Sequence, residues 1–354
     1  MDVVVIGAGQ AGLSASHHLR RRAIGHVVLD HAPAPGGAWQ FRWPTLTWER
    51  VHGMHPLPGT RVPEADPGRP SAEVIGAYFG AYERDEGLPV LRPAHVRSVT
   101  EDGTPGAAGR LLVDSDAGRF STRALVNATG TWDRPFRPSY PGADSFRGRQ
   151  PHTADYRGPE EFAGLRVVVV GGGTSAVQHL LEIAPLAASV RWVTRRPPVF
   201  HEEGFGPEQG RAAVALVEER VRRGLPPQSV VTVTGLQLTR AVRDGLANGV
   251  LERRPMFERI GPAGPIWADG HAEEVDVILW ATGFRPAMEH LAPLRLREPG
   301  GGIRMAGTRA ARDERVHLVG YGPSASTIGA NRAGGAVARE LAAFLARPAV
   351  AVPA

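Results

Sequence analysis

The strongest pattern along the chain is a short apolar run that stops abruptly at glycine, and it occurs twice. Asp2 to Ile6 (DVVVI) runs into Gly7-Ala8-Gly9-Gln10-Ala11-Gly12, and the four valines Val167 to Val170 run into Gly171-Gly172-Gly173-Thr174-Ser175-Ala176. An unbroken apolar run of this length suits a strand buried on both faces of a parallel sheet. In the first copy a helical pattern follows, through about Arg22, and then the apolar run His26 to Asp30 (HVVLD); the second copy reaches the run Ser189 to Val193 (SVRWV). Strand, glycine turn, helix and strand make one βαβ unit.

The rest of the chain arranges itself around these two units. Ser71 to Glu86 places Val74, Ile75, Tyr78, Phe79 and Tyr82 on one helical stripe, a core-facing helix. Short runs at Val90 to Arg92, Val96 to Thr100, Arg110 to Asp114 and Arg119 to Ser121, broken by Gly and Pro, predict an antiparallel meander. Two more buried-strand runs, Ala124 to Asn127 and Val275 to Trp280, each end in Ala-Thr-Gly with an Arg-Pro pair close behind. Residues 200–206 and Pro226-Pro227 flank a predicted helix, Glu208 to Arg223, at the periphery of the second unit, and residues 229–268 predict further short strands. A strand from Val316 to Val319 and a helix from about Ser326 to Leu345 close the chain. The pattern predicts an α/β protein with two Rossmann-like dinucleotide-binding domains, the second inserted in the first. Residues 1–150 and 291–354 form one, and 151–290 the other.

The glycine spacing has a chemical reason. In G-x-G-x-x-G the first glycine permits the tight turn, the second lets backbone amides approach a pyrophosphate, and the third lets the helix pack on the strand. Gly7, Gly9 and Gly12 hold those places, with Gln10 and Ala11 opening the helix, and Asp30 at the end of the next strand is placed to accept from a ribose hydroxyl. Gly171 and Gly173 repeat the spacing, with Thr174 and Ser175 at the helix start. Asp30 stands 23 positions after Gly7 and Thr194 stands 23 after Gly171, so Thr194 replaces the ribose acid, and Arg195 and Arg196 follow it. An acid there would repel a 2′-phosphate; two arginines would grip one, which predicts NADPH over NADH. Two dinucleotide units imply one site for FAD and one for the nicotinamide cofactor.

Composition narrows the class. The 354 residues contain no cysteine, which removes disulfide reduction and thiolate metal sites. All 41 basic residues are arginine, and the net charge is only +5 with the arginines scattered, so nucleic acid is not an expected partner. His52 and His55 lie three apart without a third ligand, and no metal site is predicted. There is no apolar run long enough to span a membrane and no signal-peptide pattern at the start, so a cytoplasmic protein is expected.

Phe146, Gly148, His152 and Tyr156 spell FxGxxxHxxxY immediately before the second glycine unit, and in that position they resemble the signature of the flavin-containing monooxygenases. Gly36, Gly37 and Trp39 resemble that family's GGxW loop, and the two ATG segments its interdomain crossings, which implies that Thr129, Gly130, Thr282 and Gly283 pass close to the cofactors. The resemblance runs from Asp2 to about Pro286 and is to the compact bacterial members. It implies that NADPH reduces FAD and that a C4a-(hydro)peroxyflavin then transfers oxygen to a small sulfide, amine or ketone. Oxygen and the small-molecule substrate are the implied partners; a homodimer is the expected assembly, on no motif of the chain. The family signature is thought to couple the domains, which makes His152 and Tyr156 functional without making His152 a base. The C-terminal helix is expected to point its N-terminus at the flavin, where its dipole stabilises negative charge. One departure stands out: larger members place an Asn near the flavin after GGxW, whereas residues 45–53 (TLTWERVHG) contain none, which leaves Glu49, Arg50 or His52 for that space. Partial uncoupling to hydrogen peroxide is therefore expected. Two other classes share these features: a flavin-dependent NAD(P)H oxidase or reductase, and a non-enzymatic nucleotide-binding redox sensor.

Overall fold

The computed structural model describes residues 1–51, 54–104, 109–202, 207–227 and 235–347. The first unit is strand β1 (Val3–Ile6), helix α1 (Gln10–Arg20) and strand β2 (His26–Leu29), with β1 wholly buried. Helix α2 (Ser71–Asp85) follows and buries Val74, Ile75, Phe79 and Tyr82, four of the five stripe residues.

Strand β3 (Val90–Leu91) departs from expectation. It pairs parallel with β2 and extends the first sheet, because the β2 backbone donates to it: Val28 N–H to Pro89 O at 2.9 Å and Asp30 N–H to Leu91 O at 3.0 Å. The antiparallel meander contains only β4 (Val96–Glu101), β5 (Leu111–Ser115) and β6 (Gly118–Thr122). Strand β7 (Ala124–Asn127) then returns to pair parallel with β1, in the register Val3 to Ala124.

The second unit is β8 (Arg166–Val170), α3 (Thr174–Ile183) and β9 (Ser189–Thr194). After the short strand β10 (Phe200–His201) comes α4 (Pro207–Arg222), which is not peripheral to the second domain. Its Val221 is buried in the core beneath the first sheet, beside Leu318 and Tyr321, and a Cβ on Gly322 would come within 2.7 Å of it.

Strand β11 (Leu236–Gln237) leads into a helix that the strand expectation missed, α5 (Arg240–Ala247). Thr239 caps it, its hydroxyl accepting from Val242 N–H at 3.3 Å. Gly245 inside the helix obscured the periodicity, yet it has a packing reason: a Cβ there would stand 2.7 Å from Leu181 of α3. Strands β12 (Arg253–Pro255), β13 (Arg259–Gly261), β14 (Gly264–Ile266) and β15 (Val277–Trp280) complete this part, with β15 parallel to β8 and β12 parallel to β9.

The C-terminal segment adds β16 (Met305–Ala306), β17 (Arg309–Ala310) and β18 (Asp313–Leu318), which joins β7, and ends in α6 (Thr327–Leu345) capped by Ser326. The first sheet therefore runs β16-β17-β18-β7-β1-β2-β3 and the second β12-β9-β8-β15. The arrangement β7-β1-β2 recurs as β15-β8-β9, the duplication seen in the sequence. Helix α6 lies so close to α1 that a Cβ on Gly334 would collide with Ser14. Among the described residues no helix is long and apolar enough to cross a membrane, and no cluster of three or more metal-ligating side chains occurs.

Candidate active site

Each glycine turn is shaped by the ATG strand beside it. Gly7 has φ +99°, and a Cβ there would stand 2.7 Å from the Ala128 carbonyl oxygen; Gly171 has φ +151°, and its Cβ would collide with the Ala281 carbonyl oxygen. Gly12 sits behind the first turn, where a side chain would collide with Gly7 O. The second glycine of each motif faces free space. Gly9 has only Gly37 Cα within reach, at 3.9 Å, and Gly173 has no atom within 4 Å. Those are the openings through which backbone amides can reach a pyrophosphate.

The first turn opens into a cavity of about 690 Å³. Gly7, Gly9, Gln10 and Ala11 line it from the turn, Asp30 from the end of β2, Gly37 and Trp39 from the GGxW loop, and Thr129 and Gly130 from the first ATG. Ser326 and Thr327 bring the N-terminus of α6 to the same wall. Asp30 is buried, and its Oδ2 accepts from Arg92 Nε at 2.9 Å, while the other edge of that guanidinium holds Glu83 through two bonds of 2.9 Å. Arg92 thereby fixes the carboxylate, and no protein donor reaches Oδ1 among the described residues. Gln10 donates to His55 O at 3.3 Å and to Asn331 Oδ1 at 2.9 Å, which leaves its buried Oε1 without a partner in the cavity wall. Open glycine amides, a fixed acid and an unused amide acceptor fit a ligand with a pyrophosphate and many hydroxyls, as FAD has.

Sequence reasoning missed several residues of this wall. His31 lies 3.3 Å from Asp133, whose carboxylate raises the imidazole above its ordinary range, and His290 bonds Asn127 Oδ1 at 2.7 Å while burial lowers it to about 4. His31 directly follows Asp30, a signal available in the sequence, whereas the others lie far apart in the chain and had none.

At the second turn Thr174 and Ser175 open α3 beside Gly173, as predicted. Thr194 is buried; its hydroxyl donates to Arg196 O at 2.6 Å and accepts from Arg253 Nε at 2.9 Å, and Arg253 was not foreseen. Arg195 and Arg196 are exposed, and neither side chain has an ion-pair partner among the described residues.

The two crossings between domains are stitched to each other. Thr129 Oγ1 donates to Ala287 O at 2.5 Å, Thr282 Oγ1 donates to Phe136 O, and Phe136 N–H donates to Gly283 O at 2.9 Å. His152 joins this seam. It is fully buried, its Nδ1 accepts from Ala154 N–H at 3.1 Å and its Nε2–H donates to Gly283 O at 3.0 Å. Burial lowers its pKa to about 4, so the ring is neutral with both nitrogens occupied.

Tyr156 is buried as well, and its hydroxyl donates to Glu182 Oε2 at 2.9 Å; burial and the Glu182 carboxylate push the phenol up. Glu182, near the end of α3, also accepts from Thr45 Oγ1 and Arg50 Nη1, each at 2.8 Å. Arg50 is therefore spent on α3 and does not face the flavin space. Glu49 is also not there: it is exposed on a 3-10 turn, its carboxylate meets the Thr47 hydroxyl at 3.4 Å, and it does not line the cavity. His52 lies outside the described residues.

A flavin-containing monooxygenase from Stenotrophomonas maltophilia is 36% identical and superimposes with a TM-score of 0.83, covering 98% of this chain and 99% of that one. The chain belongs to the flavin-containing monooxygenases. A mutant of the Stenotrophomonas protein matches over the same spans with 37% identity and a TM-score of 0.83. Indole-3-pyruvate monooxygenase YUCCA1 of Oryza sativa subsp. japonica is 30% identical, with 80% of this chain and 76% of the plant protein covered. Residues 4–209 match the family model described as pyridine nucleotide-disulphide oxidoreductase, the wider family of this monooxygenase, although with 0 Cys it has none of the thiol chemistry in that description. The family consists of FAD- and NADPH-dependent enzymes, and this monooxygenase is an oxidoreductase of that kind.

Proposed function

We propose that this monooxygenase transfers one oxygen atom to a small sulfide, amine or ketone, and that part of its NADPH consumption ends in hydrogen peroxide. FAD would be held by Gly7, Gly9, Gln10 and Ala11 in the cavity of residues 1–150 and 291–354, with Asp30 available to its ribose. NADPH would be held by Gly171, Gly173, Thr174 and Ser175 in residues 151–290, with Arg195 and Arg196 available to its 2′-phosphate. When bound, FAD would supply the redox and oxygen-activating chemistry and NADPH the reducing equivalents.

The protein's part is positioning and exclusion of water. Trp39 walls the cavity, the ATG crossings hold the domains in register, and His152 ties the linker to Gly283 without exchanging a proton with substrate. Tyr156, through Glu182, pins the segment after GGxW onto the nucleotide helix. The observation that carries the reading is the repeated turn, with Gly9 and Gly173 both open to a ligand and each turn closed from behind by an ATG alanine.

A specific observation supports the leak. Glu49 faces solvent and Arg50 is paired with Glu182, so neither supplies the polar group that larger members present to the flavin. The name of the rice relative specifies an aromatic 2-oxo acid, which adds acidic aromatic compounds to the substrates worth testing. The test measures NADPH consumed, oxygenated product and peroxide across a sulfide, amine and ketone panel. Product together with peroxide supports the reading; peroxide alone makes the protein an oxidase, and negligible NADPH turnover makes it a sensor.

A further inference from the structure

Arg42 follows the GGxW turn directly, lines the cavity, and has no acidic partner among the described residues. Its guanidinium carbon lies 4.8 Å from the centre of the Trp132 ring and 5.6 Å from that of Trp39. Its Nε is shut off from solvent and makes no hydrogen bond, and burial alone lowers the group to about 10. The aromatic wall continues on either side: Phe41 stacks on Trp132 at 6.0 Å, and Trp132 stacks on Phe284 of the second ATG loop at 4.9 Å. Arg42 is half-buried: its Nε is cut off from water with ring faces beside it, a cost that cation–π contact offsets in part, and its terminal nitrogens keep some exposure, with no protein acceptor among the described residues. Such a group is in balance when an oxyanion meets it.

The cofactors' own anionic groups have other seats. On the functional reading above, from which this inference starts, the FAD pyrophosphate belongs to the amides around Gly9. The nicotinamide cofactor's pyrophosphate belongs to Gly173, and its 2′-phosphate to Arg195 and Arg196. The groups seen in contact with the Arg42 guanidinium are ring faces, those of Trp39 and Trp132. A flat apolar body beside one negative charge matches that surface. We propose that Arg42 is the seat for the carboxylate of an aromatic acid, and that the oxygen-accepting substrate is a member of that class, its ring lying against Trp39 and Trp132.

The experiment uses full-length protein loaded with oxidised FAD and two probes of the same shape class, (phenylthio)acetate and neutral thioanisole. Binding is read from the change in flavin absorbance, so no turnover is needed. A guanidinium–carboxylate pair in this setting should favour the acid by about tenfold or more. Arg42→Gln should bring the two probes to within about threefold of each other, while FAD content stays at the wild-type level. Arg42→Lys keeps the charge and should keep the preference in the same direction, reduced by loss of the planar fork.

Wild-type protein that binds both probes alike overturns the proposal before any variant is made. So does an Arg42→Gln protein that keeps the preference, sheds its FAD, or raises the KM for NADPH tenfold, because the last two make the seat a cofactor contact. The two levels separate cleanly: protein that takes up no FAD sinks the functional reading, whereas FAD-loaded protein indifferent to the carboxylate sinks only the assignment of Arg42.

Discussion

The Nε2–H of His152 donates to the carbonyl oxygen of Gly283 at 3.0 Å, and this bond carries the signature histidine to the ATG loop of the second domain. With Nδ1 accepting from Ala154 N–H, the imidazole is neutral and has one fixed tautomer. A pH signature follows. In the unfolded chain the ring takes a proton near its ordinary value, about 6.5, whereas the folded ring resists until about 4. As pH falls through that window the unfolded state binds the proton first, so stability is complete above about 6.5 and is lost toward 4, with an upper bound of about 3 kcal/mol for this group. His152→Gln should therefore lose Tm less steeply than wild type between those pH values. Some slope will persist in the variant, because burial lowers His179 and His290 in the same direction. Parallel Tm curves would show that His152 is not held neutral.

Gly9 separates cofactor binding from folding. A side chain there meets only Gly37 Cα at 3.9 Å, so Gly9→Val should fold and yet emerge colourless, its isopropyl group occupying the pyrophosphate's space. Gly12→Val, by contrast, drives a side chain into Gly7 O and should not give folded protein. The check is flavin absorbance per folded chain after reconstitution with FAD. A Gly9→Val protein with full FAD content would remove the first turn from the site.

Arg195 and Arg196 are exposed and unpaired among the described residues, so replacing either singly by Gln should be nearly neutral for stability. Loss of a charge-assisted contact to the 2′-phosphate is worth about 1.5–3 kcal/mol, which lowers kcat/KM for NADPH by roughly tenfold or more and leaves NADH nearly unchanged. If neither substitution moves the NADPH/NADH ratio, both side chains point into water and the phosphate seat lies elsewhere.

Glu182 gathers the hydroxyls of Tyr156 and Thr45 and the guanidinium of Arg50 onto α3. Tyr156→Phe removes one hydrogen bond and should cost about 1 kcal/mol, and Glu182→Ala, which strands the buried phenol, about 2–3 kcal/mol. Both should raise the fraction of NADPH lost to peroxide, because the segment after GGxW is then free to admit water. Urea unfolding together with peroxide yield provides the measurement; unchanged coupling in both variants would make the cluster purely a packing device.

The repeat was legible because its physics is local. A buried parallel strand needs an unbroken apolar run, the turn needs glycine at fixed offsets, and both copies carry them. The meander and the C-terminal helix were legible for similar reasons. What escaped was set by partners distant in the chain. Val90–Leu91 joined the parallel sheet through Val28 and Asp30, α5 hid its period behind Gly245, and α4 was placed by Val221 meeting Gly322. In the site the two open glycine turns were readable, but Arg92 behind Asp30, Glu182 beneath Tyr156 and Arg42 between two tryptophans are tertiary relations that no offset encodes. Glu49 shows the opposite failure, for proximity in sequence to GGxW did not bring its carboxylate to the cavity.

Oxygen transfer itself is tested by supplying ¹⁸O₂ to the FAD-loaded enzyme with NADPH and thioanisole and weighing the product. The expected product is a sulfoxide carrying one ¹⁸O atom, formed in competition with labelled hydrogen peroxide. Steady NADPH oxidation with every reducing equivalent recovered as peroxide, and no label in any product of the sulfide, amine and ketone panel, would contradict it.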